Sequence, residues 1–138
     1  MNNFAGDMEE LQAAYDELCQ RISPFDGAYS FLTAARHDGS PHVEIEGGVY
    51  HHIVTERGLE LERETFDDKD DLLYRLVSDM AFWMAVEYEM KNRVQGQDAR
   101  RIMFAKWIEL MERVGADRAE KTRRHIGETL RENPYLDR

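Results

Sequence analysis

The sequence predicts an α+β fold: an N-terminal helix, a small antiparallel β-meander of three to four strands, and a C-terminal bundle of about three helices. Three observations predict it. Apolar residues recur at three- and four-residue spacing up to Ile22 and again from Leu72 onward, the period of a helix. Between them lie short alternating segments separated by the turn signals Gly47-Gly48 and Arg57-Gly58. No linker, internal repeat or low-complexity run interrupts the chain, so residues 1–138 read as one domain.

The first helix is expected from about Asp7 to Arg21, with Leu11, Ala14, Tyr15, Leu18, Cys19 and Ile22 on one face. Asp7 is placed to cap it, with Glu10 three positions on, and Ser23-Pro24 ends it. Residues 29–36 fit either a strand or a loop. Strands follow at about His42–Glu46, Val49–Thr55 and Leu59–Phe66. Val43 and Ile45 share one face of the first; Leu59 and Leu61 share one face of the third, with Glu60, Glu62 and Glu64 opposite. One apolar and one charged face imply a sheet covered by helices on one side only.

A long helix is expected from Thr65 or Asp67 to about Val94, its first turn crowded with aspartates that favour the helix dipole. Leu73, Val77, Met80, Ala81, Met84 and Tyr88 form its inward stripe, widened by Leu72, Leu76 and Trp83. Gly96 breaks it. A helix from about Asp98 to Val114 turns Met103, Trp107, Leu110, Met111 and Val114 inward, and a more polar one runs from about Asp117 to Arg131. Gly115 and Asn133-Pro134 end these two.

Composition narrows the function. Hydrophobic residues make up 42% of the chain, enough for a core, and the formal charge is −10 with a pI near 4.9. Such a balance argues against direct binding to DNA or RNA and against an anionic membrane. The charge is concentrated: residues 44–71 hold ten acidic and three basic side chains. A field of this kind speeds encounter with a basic protein. It equally fits the solvated side of an edge strand followed by capping aspartates. A lone cysteine, Cys19, permits no internal disulfide and reads as a small core residue. No signal-peptide pattern or bilayer-length apolar run is present, so a reducing cytoplasm is expected.

Catalytic signatures are scarce. His37, His42, His51 and His52 cluster, and with a carboxylate they offer a metal site or a small enzyme's centre. Adjacent strand residues point to opposite faces, however, so His51 and His52 do not easily share an ion. Glu87 and Glu89 flank Tyr88 but lack the helical spacing of a paired-carboxylate site. Arg100-Arg101, in DARRIMF, puts positive charge at a helix N-terminus, which calls for carboxylate partners that the Glu-rich meander could supply. No catalytic residue, metal or cofactor is assigned.

Several of these residues together resemble the immunity protein 63 family: Tyr50, Glu56-Arg57-Gly58, Asp71-Leu72-Leu73-Tyr74, Tyr88-Glu89, Asp98 with Arg100-Arg101, and Pro134-Tyr135, spread over roughly residues 41–138. The resemblance implies a cytoplasmic protein of a bacterial polymorphic toxin system that binds and neutralises a cognate toxin, without catalysis. The toxin's being a basic nuclease is an inference from charge. On this reading Glu60, Glu62, Glu64, Asp67, Asp68 and Asp71 form the partner surface. Glu56, Arg57, Asp98, Arg100 and Arg101 form a structural ion network. The alternatives are a metal protein or enzyme built on His37, His42 and His51, and an acidic nucleic-acid mimic that blocks some other basic protein.

Overall fold

A computed structural model describes residues 4–138 and contains four helices and three strands among them. In chain order these are α1 (Phe4–Ile22), β1 (Asp38–Glu46), β2 (Val49–Glu56), β3 (Leu59–Phe66), α2 (Lys69–Lys91), α3 (Ala99–Glu112) and α4 (Ala116–Glu132). The α+β class, the meander and the three C-terminal helices match the sequence expectation. One difference concerns α1, and the open alternative for the segment after it is resolved. Helix α1 starts at Phe4, so Asp7 sits in its first turn instead of capping it. Residues 29–36 form an irregular segment, not a strand.

The chain divides into two compact units, one reaching to Gln20 and resuming at Phe25–Leu76, the other comprising Arg21–Pro24 and Val77–Arg138. In the first, the sheet has the order β1-β2-β3, antiparallel throughout. Two-residue turns with positive φ close both hairpins: Gly47 (58°) and Gly48 (78°), then Arg57 (52°) and Gly58 (80°). Register pairs Val43 with His52, both buried, and on the opposite face His42 with Ile53, also both buried. The middle of the sheet is thus covered on both faces, where the alternation of charge predicted cover on one.

Leu11, Tyr15, Leu18 and Cys19 of α1 are buried as the helical period requires. The polar side of α1 fastens the segment after it. Gln20 exchanges hydrogen bonds with Phe25, accepting from its N–H at 2.8 Å and donating to its carbonyl at 3.1 Å. Asp16 accepts from the Tyr29 N–H at 2.8 Å, and Gln12 donates to the Tyr29 carbonyl at 2.6 Å. Further along, the Leu32 carbonyl accepts from the Val43 N–H at 2.9 Å, on the side of β1 away from β2.

In the second unit, Val77, Ala81 and Ala85 of α2 are buried with Phe104, Trp107, Leu110 and Met111 of α3 and Ala119, Thr122 and Ile126 of α4. Trp107 donates from its indole nitrogen to the Ser78 carbonyl at 3.0 Å and stacks edge-on against Phe82 at 5.0 Å. The predicted stripe of α2 is displaced: Tyr88 is exposed, and Trp83 is 66% exposed. Leu73, Val77 and Ala81 of that stripe are buried, but beyond them the buried line runs through Ala85 to Glu89 instead of Met84 and Tyr88.

Candidate functional site

The acidic stretch begins on β3. Its pairing with β2 shifts by one between Val54 and Thr55: Val54 faces Glu62, but Thr55 faces Glu60. Leu61 is therefore an extra residue, a bulge. Because paired residues share a face, the bulge puts Glu60 on one side of the sheet and Glu62 and Glu64 on the other. The single acidic face expected from the alternation does not form. Leu59 and Leu61, expected to point inward, are 66% and 58% exposed.

Two of the three glutamates are paired. Arg63 donates to Glu60 from Nη2 at 2.7 Å and Nε at 3.0 Å, holding that carboxyl below its usual range. Both lie on one face only because the bulge brings residues three apart into line. Glu64 pairs with Arg75 of α2. Glu62 and Asp67 are exposed and have no ion pair among the described residues. Asp68 accepts from the Asp70 N–H at 2.8 Å, satisfying a free donor at the start of α2, and Asp71 is exposed in the same turn. The Tyr50 phenol shows where this charge gathers. Burial raises its pKa first, and the nearby carboxylates of Asp7, Glu10 and Asp68 raise it further. The acidic surface of this unit therefore includes Asp7 and Glu10 of α1, which sequence reasoning had used only as caps.

The histidines do not all converge: His51 is the register partner of Glu44 and so shares a face with His42, while His37 and His52 lie apart from them. His42 is 3% exposed, with Nε2 2.6 Å from a carboxylate oxygen of Glu44, two residues along the strand. His52 is buried on the opposite face from His42, and His37 lies in a loop with a left-handed φ of 57°. Among the described residues no three His, Cys, Asp or Glu side chains are placed to hold one metal ion.

The predicted ion network splits. Glu56 and Arg57 sit at the β2–β3 turn of the first unit, and neither has an ion pair among the described residues. Asp98, Arg100 and Arg101 do come together, but their partners come from the C-terminal segment, not from the meander. Asp98 caps α3, accepting from the Arg100 N–H at 2.9 Å, and accepts from the Leu136 N–H at 2.8 Å. Arg100 returns Nη2 to Asp98 at 2.9 Å and donates to the carbonyls of Asn133 and Pro134, each at 2.8 Å. Arg101 pairs with Asp137 at 2.9 Å, and its guanidinium lies 4.3 Å from the centre of the Tyr135 ring. Asp137 in turn accepts from the Asp98 N–H at 2.8 Å. These donors, the Arg100 side chain foremost, hold the Asp98 carboxyl far below the usual carboxylate range. Gly96 completes the clasp. Its carbonyl accepts from the Arg138 N–H at 2.7 Å, its φ is 84°, and a Cβ there would lie 2.9 Å from the Arg138 carbonyl oxygen. Only glycine fits.

Two further features escaped the sequence. Glu89 is 2% exposed and accepts from Arg93 Nη2 and Nε, at 2.9 and 3.1 Å. The available signal was the order of a carboxylate four residues before an arginine. Trp83 and Met90 (64% exposed) leave apolar surface along the end of α2, and Val94 (49%), just past the helix, adds to it. The seven-residue spacing of Trp83 and Met90 is that of a core stripe, so only the tertiary structure separates the two.

No helix among the described residues is long and apolar enough to cross a membrane. Over residues 46–128, more than half of its length, the chain matches the family described as Immunity protein 63. No curated protein and no solved structure matches it. The matched segment runs from the end of β1 into α4 and includes the bulged strand, the aspartate-rich start of α2, the Glu89–Arg93 pair and the Asp98 cap. The chain belongs to the immunity protein 63 family.

Proposed function

We propose that this chain is an immunity protein that binds a cognate toxin domain and neutralises it by covering its active or substrate-binding surface. The work is done by binding, with no catalytic step. The observation that carries the reading beyond family membership is the exposed carboxylate surface of the first unit, where Glu62 and Asp67 have no ion pair among the described residues and Asp68 and Asp71 extend the charge. Charges left unneutralised draw in a partner of opposite sign and set its orientation. The partner's contact surface is accordingly basic, as is the substrate cleft of a nuclease.

The test is co-expression with the protein encoded beside it. A stable pair, together with rescue of growth from that protein's toxicity, supports the reading; no pair and no rescue sinks it. The surface is tested separately by the double variant Glu62→Lys, Asp67→Lys. Association is expected to slow by about tenfold at low salt and to lose most of its salt dependence. An unchanged rate and salt slope would move the interface elsewhere while leaving the immunity reading intact.

A further inference from the structure

The two edges of the sheet are finished differently. On β1 the Leu32 carbonyl already occupies the outer edge through the Val43 N–H. On β3, eight residues long, no backbone hydrogen bond from the side facing away from β2 is found among the described residues. At roughly 3.3 Å per residue that is an open template about 26 Å long. Natural sheets blunt such edges with charge, bulges and short strands. Strand β3 has the charge and the bulge, which accounts for Glu60, Glu62 and Leu61 being an extra residue. Protection does not account for Leu59 and Leu61 being more than half exposed beside them. Exposed leucines on a long open edge are what an added strand uses for contact.

Charge selects the occupant. Glu62 and Glu64 share one face; Glu64 is paired with Arg75, and Glu62 has no ion pair among the described residues. Glu60, on the other face, is neutralised by Arg63. A second copy of this chain would set its own glutamates beside these, and like charges across a strand pair are destabilising. A strand with a Lys or Arg opposite Glu62 would meet opposite charge there and backbone partners along its length.

Building on the immunity reading above, we propose that β3 receives an extended segment of the toxin as a fourth strand, with a basic side chain on the side of Glu62. The bulge at Leu61 sets the register, because the added strand must pass the one place where the edge bends.

The deciding measurement is hydrogen–deuterium exchange on the whole chain, free and in complex with the co-expressed neighbouring protein. In the complex, amides of residues 59–66 are expected to exchange at least about tenfold more slowly than in the free chain. The paired variant Leu59→Ser, Leu61→Ser is expected to weaken the complex by about 10- to 100-fold with little change in Tm, since both side chains are exposed. A full-affinity complex with no added protection over 59–66 overturns the proposal and leaves the immunity reading standing. So does loss of the complex on Trp83→Gln with normal binding by the leucine variant, which would place the toxin on α2. Protection of 59–66 that rises with the concentration of this chain alone assigns the edge to a second copy and also overturns it. Failure of any complex to form, with no rescue of growth, removes the immunity reading and this inference with it.

Discussion

Glu89, in the last turn of α2, is paired with Arg93, two residues beyond the helix's end, the carboxylate 2% exposed and the arginine 63% exposed. The arginine reaches inward to meet a charge that the fold has buried, and the remainder of its side chain stays in water. Removing the cation leaves the carboxylate without its main partner. Arg93→Met is therefore expected to lower Tm by roughly 5 °C, and Glu89→Gln with Arg93 intact to lower it less, because an amide is easier to bury than an unpaired charge. Thermal melts of the two variants check the order. If Glu89→Gln is the more damaging, the pair matters for its geometry more than for its charge.

The clasp around Asp98 makes stability depend on acid pH. Its carboxyl is held down by Arg100, Leu136 and their neighbours, and that of Asp137 is lowered by Arg101. A depressed folded-state pKa gives stability that is fully present above the unfolded value near 4 and is lost as pH falls through the folded value. Asp98→Asn is expected to melt several degrees lower than the parent at pH 7, with the gap closing only in strong acid. Melting curves from pH 7 down to pH 2 give the result. A constant gap across that range would show that the hydrogen-bond geometry, not the charge, is what Asn fails to supply.

Arg100→Ala removes the donors to the Asn133 and Pro134 carbonyls and the return contact to Asp98 in one step. A Tm lower by roughly 5 °C is expected, with toxin binding retained. Gly96→Ala is expected to act in the same direction, since its φ of 84° and the nearby Arg138 carbonyl leave no room for a Cβ. Exchange data should show residues 133–138 loosened in both variants. Unchanged stability with lost binding would turn Arg100 into an interface residue.

Cys19 is fully buried, and burial pushes its thiol up to about 11. It is expected to be inert to iodoacetamide at pH 8 in the folded chain and to react on addition of denaturant, in step with unfolding. Rapid labelling of the native protein would mean that α1 opens locally.

Trp83 and Trp107 offer a spectroscopic contrast. Trp107 is 8% exposed and bonded to Ser78, and Trp83 is 66% exposed. Trp107→Phe removes the side-chain hydrogen bond to the Ser78 carbonyl and shrinks a buried ring, and is expected to cost about 1–3 kcal/mol. Trp83→Phe is expected to leave stability within about 0.5 kcal/mol and to remove the acrylamide-quenched, red-shifted part of the emission. Quenching that survives Trp83→Phe would reverse the two environments.

Local signals were legible in the sequence and non-local ones were not. Gly47-Gly48 and Arg57-Gly58 marked both hairpins because their backbone demands are intrinsic to the turn. The apolar period of α1 placed Leu11, Leu18 and Cys19 correctly, since nothing competes with it. The bulge at Leu61 was invisible, because alternation continues unbroken in LELERETF while the pairing slips by one. That slip separated Glu60 from Glu62 and turned two leucines outward. Trp83 was misplaced because a helix with apolar residues on several sides does not announce which of them the rest of the chain will cover. Among the described residues the acidic meander supplies no partner to Arg100 or Arg101: Arg100 pairs with Asp98, two residues before it, and Arg101 with the tail residue Asp137, more than 30 positions away in sequence.

The polar side of α1 has a kinetic consequence. Gln20 reaches residues 5 and 7 positions ahead of it, and Asp16 and Gln12 reach Tyr29 across 13 and 17. Loops this short close in well under a microsecond and with little entropic penalty. This segment is therefore expected to order before the strands pair, and it delivers the Leu32 carbonyl to the place where β1 will lie. One margin of the nascent sheet is then occupied from the moment of assembly, and growth by further strands is directed to the other.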